Sequence, residues 1–191
     1  MNTLLGTIIT ALVTDENDRF YFVQKDGVTF ALAKNEGNHA IGDMVTGFAY
    51  TDSKQKSRLT QKEIKATRDS YDWGEVTEVR KDLGVFVDVG LPDKDVVISL
   101  DELPTMRELW PKKEDRVMVT LKVDSKDRIW GELADEKVFK AMAKRGNAEM
   151  QNQNLTGYVY RLKLAGTYIL TDDLYIGFIH PSERFLSLIH I

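Results

Sequence analysis

Cysteine is absent from all 191 residues, which excludes disulfides, thiolate zinc sites and a cysteine nucleophile together. Packing and hydrogen bonding must hold the fold. No apolar run approaches the ~20 residues needed to span a bilayer. The opening segment MNTLLGTIITALVTDEN has neither a basic stretch nor a small-residue cleavage site. Both observations point to a cytoplasmic protein with no membrane partner. Positive charge is also scarce. With 26 basic against 30 acidic residues and a formal charge of −4, bulk electrostatics cannot grip nucleic acid, so any such binding must be local. The three histidines, His39, His180 and His190, lie far apart without i,i+4 pairing, so no metal or other cofactor is expected. There is no phosphate-loop spacing. HPSER places Ser182 two positions from His180 without the strained elbow that exposes a nucleophile. No nucleophile–base pair can be assembled, so neither an enzyme nor a small-molecule substrate is expected.

What the chain does have is short strands. With 42% hydrophobic and 29% charged residues it is globular, with room for one large domain or two or three small ones. LLGTIITALV, RFYFVQ, GVTFALA and MVTGFAY read as a four-stranded meander broken at Asp26-Gly27 and Glu36-Gly37, with SRLTQ as a fifth strand. WGEVTEVRKDLGVFVDVGL, DVVISL, RVMVTLKVD and RIWGELA repeat the plan, and LTGYVYRLK, GTYILT and YIGFIH begin it a third time. A glycine before β-branched or aromatic residues opens each block, at Gly6, Gly74 and Gly157, which suggests an internal repeat. Five antiparallel strands in a unit of this size fit an OB-type barrel, which leaves few open edges. Between the second and third blocks, Val138, Phe139, Met142 and Ala143 fall on one helical face after Asp135 and before Gly146. This predicts a short helix packed between units, followed by the polar linker QNQN. The expected fold is all-β: tandem five-stranded OB-fold barrels over 1–64 and 70–134, a connecting helix within 135–150, and part of a third barrel over 154–191.

DLGVFVDVG followed by DVVISLDELP resembles the S1 RNA-binding pattern. AGTYILTDDLYIGFIHPSER resembles it more strongly, with Gly-Phe-Ile-His in place of the S1 hallmark Gly-Leu-Val-His. Together with FYFVQKDGVTFALAKNEG, GFAYTDSKQKSRLT and VYRLKLAGTY, these segments resemble the bacterial conserved virulence factor B family of S1-containing regulators, from Met1 to about Arg184. The resemblance implies three tandem S1-like barrels followed by a winged helix, in a cytoplasmic RNA-binding protein that affects gene expression. A complete S1 barrel takes ~70 residues, so the third is expected to be incomplete and the sequence to be a C-terminally truncated fragment. FLSLIHI after Arg184 departs from the family's pattern there.

An S1 surface offers two aromatics on the second strand and a histidine on the third. The matching places hold Leu83, Phe86 and Ser99 in the second unit, and Ala165, Tyr168 and His180 in the third. The first unit offers Phe20 and Phe22. Period two alone places such aromatics equally well in the core or the outer groove, and the resemblance favours the groove. Candidate RNA contacts are Phe86, Arg128, Tyr158, Arg161, Lys163, Tyr168, Phe178, His180 and Arg184, with most of the site in the third unit. The expected partner is single-stranded RNA, held by base stacking and by cations on phosphates, in a post-transcriptional regulator. The other reading makes the barrels spacers in a scaffold for a ribosome or polymerase partner. Salt separates the two, because phosphate contacts weaken steeply as salt rises.

Overall fold

The structure, a computed structural model, describes residues 2–64, 66–151 and 153–183. In the first unit, β1 (Ile8–Glu16), β2 (Phe20–Lys25), β3 (Val28–Ala33), β4 (Met44–Thr51) and β5 (Ser57–Thr60) close into a barrel of order β1-β2-β3-β5-β4. Alternation builds its core: Ile9, Ala11 and Val13 of β1 and Tyr21 and Val23 of β2 point inward, joined by Phe30 and Leu32 of β3. The β2–β3 hairpin turns on Asp26-Gly27, both with positive φ, as a two-residue turn matched to strand twist requires. A short parallel pairing, Ala31 with Arg58 and Leu32 with Leu59, closes the ring.

The second unit repeats this with β6 (Asp72–Arg80), β7 (Gly84–Asp88), β8 (Val96–Ser99), β9 (Arg116–Val123) and β10 (Ile129–Leu133). Its closing parallel pairs are Trp130 with Val97 and Gly131 with Ile98. The predicted helix forms as α1 (Glu136–Met142), shorter than its apolar pattern, with the Asp135 carboxylate accepting from the Lys137 and Val138 amides. In the third unit β11 (Gly157–Lys163), β12 (Gly166–Thr171) and β13 (Ile176–Ile179) form an antiparallel sheet, three strands among the described residues. No described helix is long and apolar enough to cross a membrane.

The repeat is real but its first unit is offset from the glycine alignment. The opening strand of every unit carries a register shift in the same place, leaving Thr14, Thr77 and Tyr160 as the extra residue opposite its neighbour strand. Counting back from this bulge, Gly74 and Gly157 correspond to Ala11, not to Gly6. Gly6 precedes β1 with φ +78° and belongs to the junction between barrels, where a Cβ would strike the Arg68 side chain. That junction is not a loose linker. Ile64, Ala66 and Thr67 are buried, the Arg68 amide donates to the Gly6 carbonyl (2.9 Å), and the Thr67 carbonyl accepts from the Leu121 amide (3.0 Å) and Thr120 hydroxyl (2.7 Å). The two barrels share one continuous apolar core as a result. This is why β4, expected to alternate, is buried on both faces from Gly47 onward.

Gly84 opens β7 with φ +127°, and a Cβ there would strike the Ile98 carbonyl oxygen. Gly84→Ala is expected to destabilise the second barrel by at least about 1–3 kcal/mol, the scale of a forced backbone conformation. A thermal melt measures this, and an unchanged transition temperature would contradict the packing described.

Candidate nucleic-acid interface

Because side chains alternate across a strand, burial of Val85 and Val87 in the core puts Phe86 on the outer face, where it is half-buried. The same logic puts Phe20 and Phe22 outside Tyr21 and Val23. The bulge then selects each aromatic's neighbours. Phe22 stands between Asp15 and Ala31, Phe86 between Glu78 and Val97, and Tyr168 between Arg161 and Phe178. Directly opposed residues share a sheet face, with side chains a few ångströms apart. Two of the three units thus set an exposed carboxylate beside the aromatic, where it would repel a phosphate. The third sets an exposed guanidinium on one side and a second ring on the other.

In the third unit the Tyr168 and Phe178 rings meet edge to face, with centroids 5.1 Å apart, and Phe178 is 51% exposed. The Phe178 ring lies over Gly166, where a Cβ would collide with it. Lys163 Nζ sits 5.1 Å from the Tyr168 centroid. Arg161 and Lys163 share this face, as their spacing predicts. His180 is exposed, its Nδ1 2.8 Å from the Ser182 hydroxyl in a local turn.

The sequence does not announce that α1 lies against half of the same face. Leu170, two residues beyond Tyr168 on β12, is buried in an apolar cluster with Met118, Ala134 and Phe139. Phe139 stacks on Tyr160 at 3.9 Å and 23°. Tyr158 is used in the same junction, 5.4 Å from the Trp73 ring and under the Arg116 guanidinium at 4.6 Å. It is therefore a packing residue here, not an open stacking platform. Lys163 is 3.0 Å from the Glu136 carboxylate on α1, which also holds Lys140. In the second barrel, Arg128 lies over Trp130 and is clamped to Asp124 at 2.7 Å. Burial opposes ionisation of Asp124. Hydrogen bonds from the Arg128 amide, the Trp130 indole, the Arg128 side chain and the Lys126 amide outweigh it, holding the carboxyl well below its usual range. Arg184 lies outside the described residues. The structure thus gathers Arg161, Lys163, Tyr168, Phe178 and His180 on one sheet, and leaves Phe86 and Arg128 on the second barrel. Tyr160, an aromatic where the other bulges carry threonine, is taken up by the stack on Phe139, a partner remote in sequence.

Comparison with known proteins adds relatives to this geometry. Residues 5–62 match an S1 domain, 71–132 match the CvfB first S1-like domain, and 139–187 match the second domain of the virulence regulatory factor CvfB. The Bacillus subtilis (strain 168) protein YitL is 35% identical over 181 residues, 94% of this chain and 60% of its own length. Conserved virulence factor B of Staphylococcus epidermidis (strain ATCC 35984) is 34% identical over 151 residues, 78% of this chain and 50% of its own. The chain therefore spans half to three fifths of these curated relatives. A crystal structure from Streptococcus pneumoniae TIGR4, described as a multidomain protein with nucleic acid binding domains, superposes with a TM-score of 0.88. It is 60% identical and covers 96% of this chain and 65% of that one.

Hydrogen bonds from Lys163 and then Lys140 hold the Glu136 carboxyl down at about 2, against an ordinary value of 4.5. Ionised Glu136 therefore favours the docked helix at any pH above 4.5, and that contribution is lost as pH falls from 4.5 through 2. Protection factors of the β11 amides, which remove the intrinsic pH dependence of exchange, should fall across this window in the parent chain. In Glu136→Gln that part of the profile should be flat, and identical profiles would contradict the ion pair's role.

Proposed function

The chain belongs to the CvfB family of tandem S1-like proteins, and from that premise we propose that it binds single-stranded RNA on the outer face of its third unit. The whole protein then acts as a post-transcriptional regulator. The carrying observation is the cross-strand row Arg161–Tyr168–Phe178, the only one of the three corresponding rows to join two aromatic rings to a cation. Two adjacent rings offer stacking to successive bases, about 1–3 kcal/mol each, while Arg161 takes a phosphate. Sequence preference is weak, because every base has a π-face. The matched S1 domain and the nucleic acid binding domains of the pneumococcal relative support nucleic acid as the partner class. Exposed single-stranded bases suit an open aromatic pair better than a duplex does, because its base faces are already stacked.

In this reading the first two barrels are a rigid support. Asp15 and Glu78 stand where Arg161 stands, and Arg128 is already spent on Asp124. Phe86 is then a minor contact. Its ring is exposed enough to touch a base, but it has no cation directly opposite it, Glu78 standing there instead.

Fluorescence anisotropy with a labelled single-stranded RNA tests this. Tyr168→Ala is expected to weaken binding roughly five- to a hundredfold, the equivalent of one lost stack. Phe86→Ala should change it less than about twofold on the same scale. Arg161→Glu, which gives the third unit the charge of the other two, should weaken binding as much as Tyr168→Ala does. Equal effects of Phe86→Ala and Tyr168→Ala would contradict the assignment to the third unit.

A further inference from the structure

One feature of the second barrel has no part in the row of Tyr168. An open groove of about 510 Å³ runs between the far half of β6 and the loop preceding β9. Its rim carries the exposed cations Lys81, Arg107, Lys112 and Lys113 against a single carboxylate, Glu78. Among the described residues none of the four forms an ion pair. Arg107 is held instead over the Trp110 ring at 5.8 Å, with the indole Nε1–H donating to the Pro104 carbonyl at 2.6 Å. The groove therefore has a fixed floor beneath exposed charges. On a chain of net charge −4, four cations gather on this one groove, whereas Lys34, Arg58, Arg80 and Arg128 are each paired with a carboxylate.

The loop that carries Lys112 and Lys113 is fixed at both ends. The Glu114 amide donates to the Val76 carbonyl and the Val76 amide to the Asp115 carbonyl, both at 2.8 Å, which lays the loop along β6. The next residue, Arg116, begins β9 and places its guanidinium over Tyr158 of β11, 4.6 Å from the ring. The loop thus carries Lys112 and Lys113 on the groove and, past Glu114 and Asp115, Arg116 against the first strand of the third unit. Three residues after Tyr158 on that strand comes Arg161, beside Tyr168.

We propose that this groove is a phosphate track: it holds the backbone of the same single strand whose bases stack on Tyr168 and Phe178, and lengthens the site from the third unit onto the second barrel. The proposal rests on the third-unit reading above. It gives the chain charge-dependent binding without a net positive charge, because four exposed cations that form no ion pair among the described residues face one lining carboxylate, Glu78. Trp110 is buried and cannot stack a base, so the groove adds phosphate contacts and no base preference.

Two oligonucleotides separate the parts of the site. One of about six nucleotides fits within a single OB-type surface, and one of about twenty-five exceeds the ~16 nucleotides that the largest single OB-type surface covers. Affinities are measured against salt for the full chain, for Lys81→Gln/Lys112→Gln/Lys113→Gln, and for Tyr168→Ala, with thermal melts confirming folding. The triple variant is expected to reduce the slope of log affinity against log salt by about 2 for the longer strand, since a single strand loses about 0.7 per phosphate contact. The shorter strand should be unaffected by the triple variant and weakened by Tyr168→Ala. If the longer strand keeps its slope in the triple variant while Tyr168→Ala still weakens both strands, the track is overturned and the third-unit site stands. The groove would then suit an acidic protein segment. If neither strand binds the full chain, the third-unit reading fails and the track with it.

Discussion

One extra residue in the first strand of each unit determines what stands beside the exposed aromatic of the second. At Thr14, Thr77 and Tyr160 the ladder slips, and the residue after the slip, Asp15, Glu78 or Arg161, comes directly opposite Phe22, Phe86 or Tyr168. Without that bulge the alternation of β11 would carry Arg161 to the other face, since a one-residue change of register reverses every side chain beyond it. The conformation at the bulge is itself held. The Thr14 hydroxyl donates back to the Phe22 carbonyl at 3.3 Å, the Thr77 hydroxyl donates to the Asp95 carboxylate at 2.7 Å, and Tyr160 is held by its stack on Phe139. The backbone device is common to all three units, so the charge of one residue distinguishes a surface that attracts phosphate from two that repel it.

That same stack ties the third sheet to the rest of the molecule. Phe139 is buried among Met118, Ala134 and Leu170, so α1 is wedged between the second barrel and the outer face of β12. Burying a side chain of this size is worth roughly 1.5–3 kcal/mol, more than the exposed Glu136–Lys163 pair can supply. Packing therefore fixes where the sheet sits, and the ion pair adjusts it. The wedge covers the Leu170 end of the face and leaves the Tyr168–Phe178 end open. Earlier in the chain the junction of the first two barrels is equally firm, because Ile64 and Ala66 are packed into their shared core and Thr67 and Arg68 are hydrogen-bonded across it. A strand bound at Tyr168 thus meets a support that is continuous back to the first barrel.

Much of this was legible in the residues, and the limits have a physical pattern. Strands of four to nine residues with period-two apolar positions, broken at Asp26-Gly27 and similar turns, show plainly in the sequence, as do α1 and its Asp135 cap. Local chemistry determines those features. The closure of each barrel by two parallel pairs was not legible, since it joins strands brought together only by folding. The glycine alignment misplaced the first unit because Gly6 and Gly74 look alike while serving different purposes, one at a junction and one inside a strand. Among the site residues, Tyr158, Lys163 and Arg128 have the right chemistry for RNA but are engaged by Trp73, Arg116, Glu136 and Asp124. All of these partners but Asp124 are remote in sequence, and Asp124 reads as an ordinary turn residue. Exposure of Phe86 and Tyr168 could not be decided by periodicity alone. It follows from which neighbours on the same strand are buried.

The central claim is that the row Arg161–Tyr168–Phe178 is where a single strand lies. The most direct measurement is the set of NMR chemical-shift changes in the isotope-labelled chain on titration with a short single-stranded RNA. The account predicts changes concentrated at Arg161, Tyr168 and Phe178 and little change at Phe22 and its neighbours Asp15 and Ala31. Changes spread equally over Phe22, Phe86 and Tyr168, or confined to the first two barrels, would contradict it.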